Sequence, residues 1–157
     1  MHRLELKLPP PVVFAVTALA MWLIARQFPA LSFGAAGHGP VPDALSIALV
    51  LAGAALGLAA IVGFRRARTT VEPRRPHEAS AIVTRGVYRL TRNPMYLGLL
   101  CLLAAWALRL AHPLPWLLLP VFVGWITRFQ IVPEERVLAA RFGATYADYR
   151  RAVRRWI

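Results

Sequence analysis

Two short stretches hold the polar chemistry of this chain. Arg92-Asn93-Pro94-Met95-Tyr96-Leu97-Gly98 sets an arginine, an amide and a phenol at the mouth of an apolar run. Glu134-Glu135 sets two of only seven acids directly after another. Asn is a favoured N-cap and Pro a favoured first helical residue, so Asn93-Pro94 reads as a helix start. A helix start leaves its first amides without intrahelical partners, and the positive end of the helix dipole suits an anion there. Gly98, one turn in, lets a ligand or a neighbouring helix approach the backbone. The bland reading is a capped helix with snorkelling arginines. Glu134 and Glu135 follow Pro133, where first-turn acids are favoured by the same dipole. Polar groups at the edge of a bilayer are nonetheless functional candidates by default, and Arg128 lies nearby. Arg128, Glu134 and Glu135 are therefore the candidate catalytic residues.

The elements that must position these groups are membrane spans. Of 157 residues 58% are hydrophobic, against roughly 45–50% in soluble domains. Four apolar segments stand out at 12–28, 44–64, 95–111 and 114–132, and about 20 helical residues cross a bilayer core. The fold class expected is all-α: a polytopic membrane protein with four transmembrane helices. His112-Pro113 alone joins the last two spans, which predicts a tight antiparallel hairpin. Pro120, inside the fourth, is expected to kink it. Gly and Ala crowd the second span and allow close helix packing.

Charge sets the orientation. The formal net charge is +12, and all basic residues but Lys7 are Arg. They cluster between the apolar runs, which fits anionic lipid headgroups better than nucleic acid. Residues 65–92 hold eight Arg and residues 128–157 seven, whereas 29–43 hold no Lys or Arg. By the positive-inside rule both termini and the 65–92 loop are expected in the cytoplasm, in a bacterial inner membrane. The one cysteine, Cys101, excludes an intrachain disulfide, and the four histidines lack ligand spacing, so no metal is expected. A long first apolar run without a clear cleavage site reads as a retained span.

One membrane domain is expected over residues 1–157. It divides into two spans (1–64), a basic loop (65–92), a hairpin (93–132) and C-terminal helices (133–157). In the C-terminal segment a first helix is expected to end at Gly143 and a second to follow. Phe142, Tyr146, Tyr149, Val153 and Trp156 recur at helical spacing and form one face, flanked by arginines. This face either lies on the leaflet or closes over a site.

Taken together the motifs resemble the isoprenylcysteine carboxyl methyltransferase family and its bacterial relatives. The resemblance covers 80–157 and rests on an ordered set of pieces. These are Ser80-Ala81-Ile82-Val83-Thr84-x-Gly86-Val87-Tyr88, Arg92-Asn93-Pro94-x-Tyr96-x-Gly98, a hairpin, Glu134-Glu135, Phe142-Gly143-x-x-Tyr146-x-x-Tyr149 and Val153. It implies an integral membrane methyltransferase that uses S-adenosylmethionine in a cytoplasmic pocket closed by the C-terminal helices. Cofactor contacts would fall on Ser80, Ala81, Ile82, Val83, Tyr88, Asn93, Pro94, Met95, Tyr96 and Gly98. Aromatic faces such as Tyr88 and Tyr96 suit a sulfonium cation. Many family members have His where this chain has Asn93, which removes a proton acceptor there. Arg128 matches a substrate-contacting Arg of the eukaryotic enzymes, while an acid of theirs four residues on falls on Val132.

The acceptor implied is a lipid or lipidated molecule entering from the bilayer. A carboxylate acceptor would need no base, and Arg128 can hold it bidentately. A headgroup amine would need to lose a proton to Glu134 or Glu135. Two other readings stand beside this one: an NADPH-dependent membrane reductase of the sterol reductase type, and a lipid-binding membrane protein without enzymatic activity.

Overall fold

The computed structural model describes residues 5–67 and 81–157. Among these no strand occurs, and the architecture is that of an all-α polytopic membrane protein. Helix α1 is Pro10–Gln27, α2 is Pro40–Arg66 and α3 is Pro94–Leu110. Helix α4 (Leu118–Ile126) and helix α5 (Val132–Ala152) follow. Each of α1, α2 and α3 opens on proline, whose missing N–H costs nothing in a first turn. Arg65 and Arg66 close α2 at its negative dipole end. At 1.5 Å per residue α2 is about 40 Å long, ample for a bilayer core.

The chain between α3 and α4 turns as tightly as the sequence implied. Ala111 adopts left-handed geometry (φ 47°, ψ 45°). His112 is buried, its Nδ1 accepts the Leu114 N–H (3.2 Å), and Nε2 therefore carries the hydrogen donated to the Phe28 carbonyl (2.9 Å). The same end carries the Phe33 N–H bond to the Ala111 carbonyl and an ion pair between Asp43 and Arg109. Residues of the segment without Lys or Arg thus meet the α3–α4 turn at one end of the bundle, while Arg65 and Arg66, which close α2, and Arg92, just before α3, lie at the other.

The last helical stretch departs from expectation in two places. Residues 114–152 form one continuous helical run rather than a span followed by a separate helix. A 3₁₀ turn (Leu114–Leu117) leads into α4, and a π-turn (Thr127–Ile131) joins α4 to α5. Pro120 sits in the first turn of α4, where no intrahelical bond is lost, so the distortion expected there is found at the π-turn instead. Pro133 has no N–H for the Phe129 carbonyl, and that carbonyl accepts from Leu6 instead (3.0 Å). The stretch through Ile131 is apolar. Helix α5 carries Glu134, Glu135, Arg136 and Arg141 and is too polar to lie in hydrocarbon. Gly143 breaks α5 with φ 50° and ψ −123°, as expected for a helix boundary there. The helical face, however, stops at Tyr149: α5 ends at Ala152, Val153 is extended, and Trp156 reaches the core outside any helix.

Helices α2 and α3 cross closely. A Cβ built on Gly98 would lie 2.8 Å from the Gly53 carbonyl oxygen, and one on Gly53 the same distance from that of Gly98. Ser46 Oγ adds a bond to the Ala105 carbonyl (3.3 Å). Gly98→Val is expected to destabilise by at least the ~1–3 kcal/mol typical of overpacking, since backbone must move. Gly57→Ala meets nothing within 4 Å and is expected to be silent. Thermal unfolding of the two variants in detergent compares them directly.

Candidate functional site

The segment before α3 is shaped by three local devices. Gly86 takes φ 62°, a turn that suits glycine, and a 3₁₀ turn (Gly86–Arg89) follows. Tyr88 is then buried against α2, edge-on to Phe64 with centroids 5.4 Å apart. Gly63 makes the room, since a Cβ there would stand 3.2 Å from the Tyr88 ring. Finally the Thr91 hydroxyl accepts the Asn93 N–H (3.1 Å), and Pro94 opens α3.

Asn93 does not do what its type and position suggest. It is the N-cap residue, but its side chain makes no cap bond. Its Nδ2 donates to the Arg155 carbonyl instead (2.9 Å). That bond is one of several tying the C-terminal residues over this segment. The Thr91 hydroxyl donates to the Arg155 carbonyl (3.2 Å), the Arg92 N–H to the Arg154 carbonyl (3.0 Å), and the Tyr149 hydroxyl to the Tyr88 carbonyl (2.8 Å). The Trp156 indole N–H donates to Thr127 Oγ1 (3.2 Å). The residues after α5 thus fold back over the segment before α3.

Beneath this cover is a small cavity of about 110 Å³. Ala81, Ile82, Val83, Tyr88, Arg92, Asn93, Glu134, Glu135, Tyr146 and Tyr149 line it, with Phe64 and Leu138. At ~30 Å³ per water it is small, the size of the polar head of an amino acid rather than a nucleoside. Burial pushes the phenols of Tyr88 and Tyr149 up, so both are neutral donors rather than bases.

The two carboxylates diverge, as adjacent helical residues must. Glu135 is buried and belongs to arginine. Arg155 holds it bidentately (Nε 3.1 Å, Nη2 2.8 Å), and Arg92 Nη1 lies 3.1 Å away. Glu134 faces Tyr96, whose hydroxyl donates to Oε1 at 2.5 Å. Burial pushes the Glu134 carboxyl up to about 8, the Tyr96 bond works against that, and the Glu135 charge adds to it. Burial thus makes Glu134 a carboxyl that holds its proton more tightly than usual. Arg92 is the counterpart for anions: its Nε is buried and has no acceptor among the described residues. A buried donor without an acceptor calls for a ligand that brings one.

Tyr96 also borders a second space. A largely apolar groove of about 660 Å³ runs between α2 and α3, walled by Pro9, Pro10 and Pro11 and floored by small residues such as Gly53, Ala54 and Gly57. Tyr96 lines this groove, and its hydroxyl reaches Glu134 of the cavity.

The expected site residues therefore divide. Ala81, Ile82, Val83, Tyr88, Asn93, Glu134 and Glu135 come together around one cavity, and Tyr96 touches it through Glu134. Ser80 lies outside the described residues. Pro94 is buried as the first residue of α3. Met95 and Gly98 line the groove, and Gly98 also serves the α2–α3 crossing. Arg128 does not line the cavity: half exposed, it pairs with Glu5 (3.0 Å) and stacks near Phe129. Arg92, Tyr146, Tyr149 and Arg155 were not among the expected site residues. The aromatic periodicity pointed toward the two tyrosines, but nothing distinguished Arg155 from its neighbouring arginines.

Comparison with known proteins bears on what such a site does. The sequence profile of a family described as phospholipid methyltransferase matches residues 42–145, from the start of α2 into α5. An uncharacterized protein of Haemophilus influenzae Rd is 46% identical over 63 residues, which are 40% of this chain and the whole of that protein. No solved structure matches the chain.

Proposed function

Because the chain belongs to the phospholipid methyltransferase family, whose members are membrane methyltransferases acting on lipid-like substrates, we propose that it transfers a methyl group from S-adenosylmethionine to the headgroup amine of a membrane phospholipid. The observation that carries the choice of acceptor is the contrast between Glu134 and Arg128. Glu134 is a carboxyl with raised proton affinity, bonded to the Tyr96 that lines the apolar groove, and an amine acceptor needs such a group. Arg128, the clamp a carboxylate acceptor would need, is engaged with Glu5 outside the cavity. This favours the phospholipid branch over the isoprenylcysteine carboxyl branch of the same group.

The residues fit the cofactor at its amino-acid end. Arg92 offers a buried donor to its carboxylate, and Glu134 with the Tyr88 and Tyr149 rings would stand near its cationic groups. Its nucleoside would extend beyond this cavity, which shares Ile82 and Val83 with a neighbouring space of about 570 Å³. When bound, S-adenosylmethionine supplies the electrophilic methyl group.

The chain's own groups do the rest. The apolar groove takes the acyl chain of the acceptor and brings the headgroup to Tyr96. Glu134, in the ionised form that the cationic groups of bound S-adenosylmethionine would favour, takes the proton that the acceptor ammonium must lose before its nitrogen can attack. Tyr96 steadies that carboxylate by its hydrogen bond. Glu135 holds Arg92 and Arg155 in place. Alignment supplies much of the rate in such a transfer. The arginine-rich end of the bundle, with this site, faces the cytoplasm in a bacterial inner membrane, where anionic headgroups meet it.

The test is a titration of the protein in lipid nanodiscs with S-adenosylhomocysteine and, separately, with NADPH. Saturable binding of the first is expected, weakened ~10-fold or more by Arg92→Ala, which deletes a charged hydrogen-bond donor. Labelled methyl should then pass to an ethanolamine-headgroup lipid and not to a prenyl carboxylate. Binding of NADPH alone would favour the reductase reading, and binding of neither would leave a lipid-binding protein.

A further inference from the structure

Glu5 is among the few buried acids, and the chemistry above does not use it. Its carboxylate Oε1 receives both Arg128 Nη1 and Arg136 Nη2 at 3.0 Å. The next residues continue the attachment. Leu6 donates to the Phe129 carbonyl that Pro133 leaves open (3.0 Å), and the Leu8 carbonyl accepts from fully buried Gln130 (2.7 Å). Leu6 bends the chain with φ 59°, a conformation leucine rarely adopts unless its surroundings impose it. Immediately beyond, Pro9, Pro10 and Pro11 form one wall of the apolar groove. Three consecutive prolines have fixed φ angles, so the wall follows the attachment closely. On the other side, Arg136 lies in the same helical turn as Glu134.

We propose that Glu5 is a positioning residue: residues 5–11 form a hook, fastened to the π-turn and the first turn of α5, that sets the groove wall against the turn carrying Glu134. Leu6 takes the Phe129 carbonyl because Pro133 has no N–H to offer it. The inference rests on the proposed function for its kinetic consequence and not for its structural one. With the hook closed, a lipid chain between the prolines and Gly57 is held at fixed distance from Glu134. With the hook released, the groove remains but its wall is no longer fixed.

Two measurements test this. In a Cys101→Ala background, nitroxide labels on Val12→Cys and Leu58→Cys report the groove width by electron double resonance. Glu5→Ala should broaden the distance distribution, Arg128→Ala with Arg136→Ala should do the same, and Glu5→Asp should narrow it again. An unchanged distribution in Glu5→Ala overturns the proposal. In methyl transfer, Glu5→Ala should raise KM for a long-chain ethanolamine lipid by ~10-fold, the scale of one charged hydrogen bond, with kcat and S-adenosylhomocysteine affinity held. Loss of cofactor affinity together with lipid KM would mean general loosening and would also overturn it. If the parent protein transfers no methyl group, the proposed function falls while the distance measurement still decides the hook.

Discussion

Glu134→Gln lowers methyl transfer by roughly 10²–10⁴-fold, the range for loss of a positioned acid–base group. Glutamine keeps the shape and still accepts the Tyr96 hydroxyl, but it takes up no proton. Folding is expected to survive and to change its pH response in a definite direction. Glu134 titrates at about 8 in the folded chain against the usual 4.5. Between those values the folded state binds more protons than the unfolded state, so stability falls as pH rises from about 4.5 to about 8. Glu134→Gln removes that decline, which thermal unfolding across the range measures. Tyr96→Phe acts oppositely on the carboxyl: without the hydroxyl that now holds it down, the Glu134 value rises further. Its pH–rate profile is expected to shift upward by about one pH unit, equivalent to ~1.4 kcal/mol of hydrogen bonding. A Tyr96→Phe profile that stays in place would remove Glu134 from the proton transfer.

Glu135→Ala is expected to cost ~3–5 kcal/mol of stability, the cost of breaking a buried ion pair by removing one partner. Arg92 is only 10% exposed and would keep its charge without a counterion. Arg155 would lose both bonds that anchor the residues after α5. Trypsin cleavage after Arg154 and Arg155 should then occur early in a digest, before the bundle is cut. Arg151→Ala breaks a pair with Asp148 that lies in solvent, and it is expected to change neither melting nor digestion measurably. The contrast matters because both changes break ion pairs in the same region: Glu135→Ala removes two, to Arg92 and Arg155, around a carboxylate shielded from water, and Arg151→Ala removes one that lies in solvent.

The C-terminal cover explains why the cavity is smaller than the proposed cofactor. Tyr149, Arg155 and Trp156 reach three different segments, at Tyr88, Glu135 and Thr127. The bidentate pair of Arg155 with Glu135 is the strong one of these contacts, and the other two are single, part-buried hydrogen bonds.

How much of this was legible beforehand differs from residue to residue. Asn93-Pro94 correctly announced the start of α3, because proline fixes φ wherever it stands. The use of the Asn93 side chain was not legible, because its partner is a carbonyl 62 residues away. Glu134 and Glu135 were visible as a pair and interchangeable as a pair. A helix turns ~100° per residue, so folding gave one to Tyr96 and the other to two arginines. Arg128 carried the promise of a substrate contact, and its fate depended on Glu5, 123 residues earlier. Gly98 was open to either a ligand or a helix, and the backbone of α2 took the place.

The sequence by itself determined the four apolar helices, the tight turn at His112-Pro113 and the gathering of arginine at one end of the bundle. These follow from length, hydrophobicity and charge along the chain, because hydrocarbon forces every backbone bond to be made locally. Tertiary structure alone decided which acid faces Tyr96, which arginine donor has no acceptor among the described residues, and which proline wall faces the groove. Those properties depend on burial and on partners far apart in the chain, and both come into being only when the helices pack.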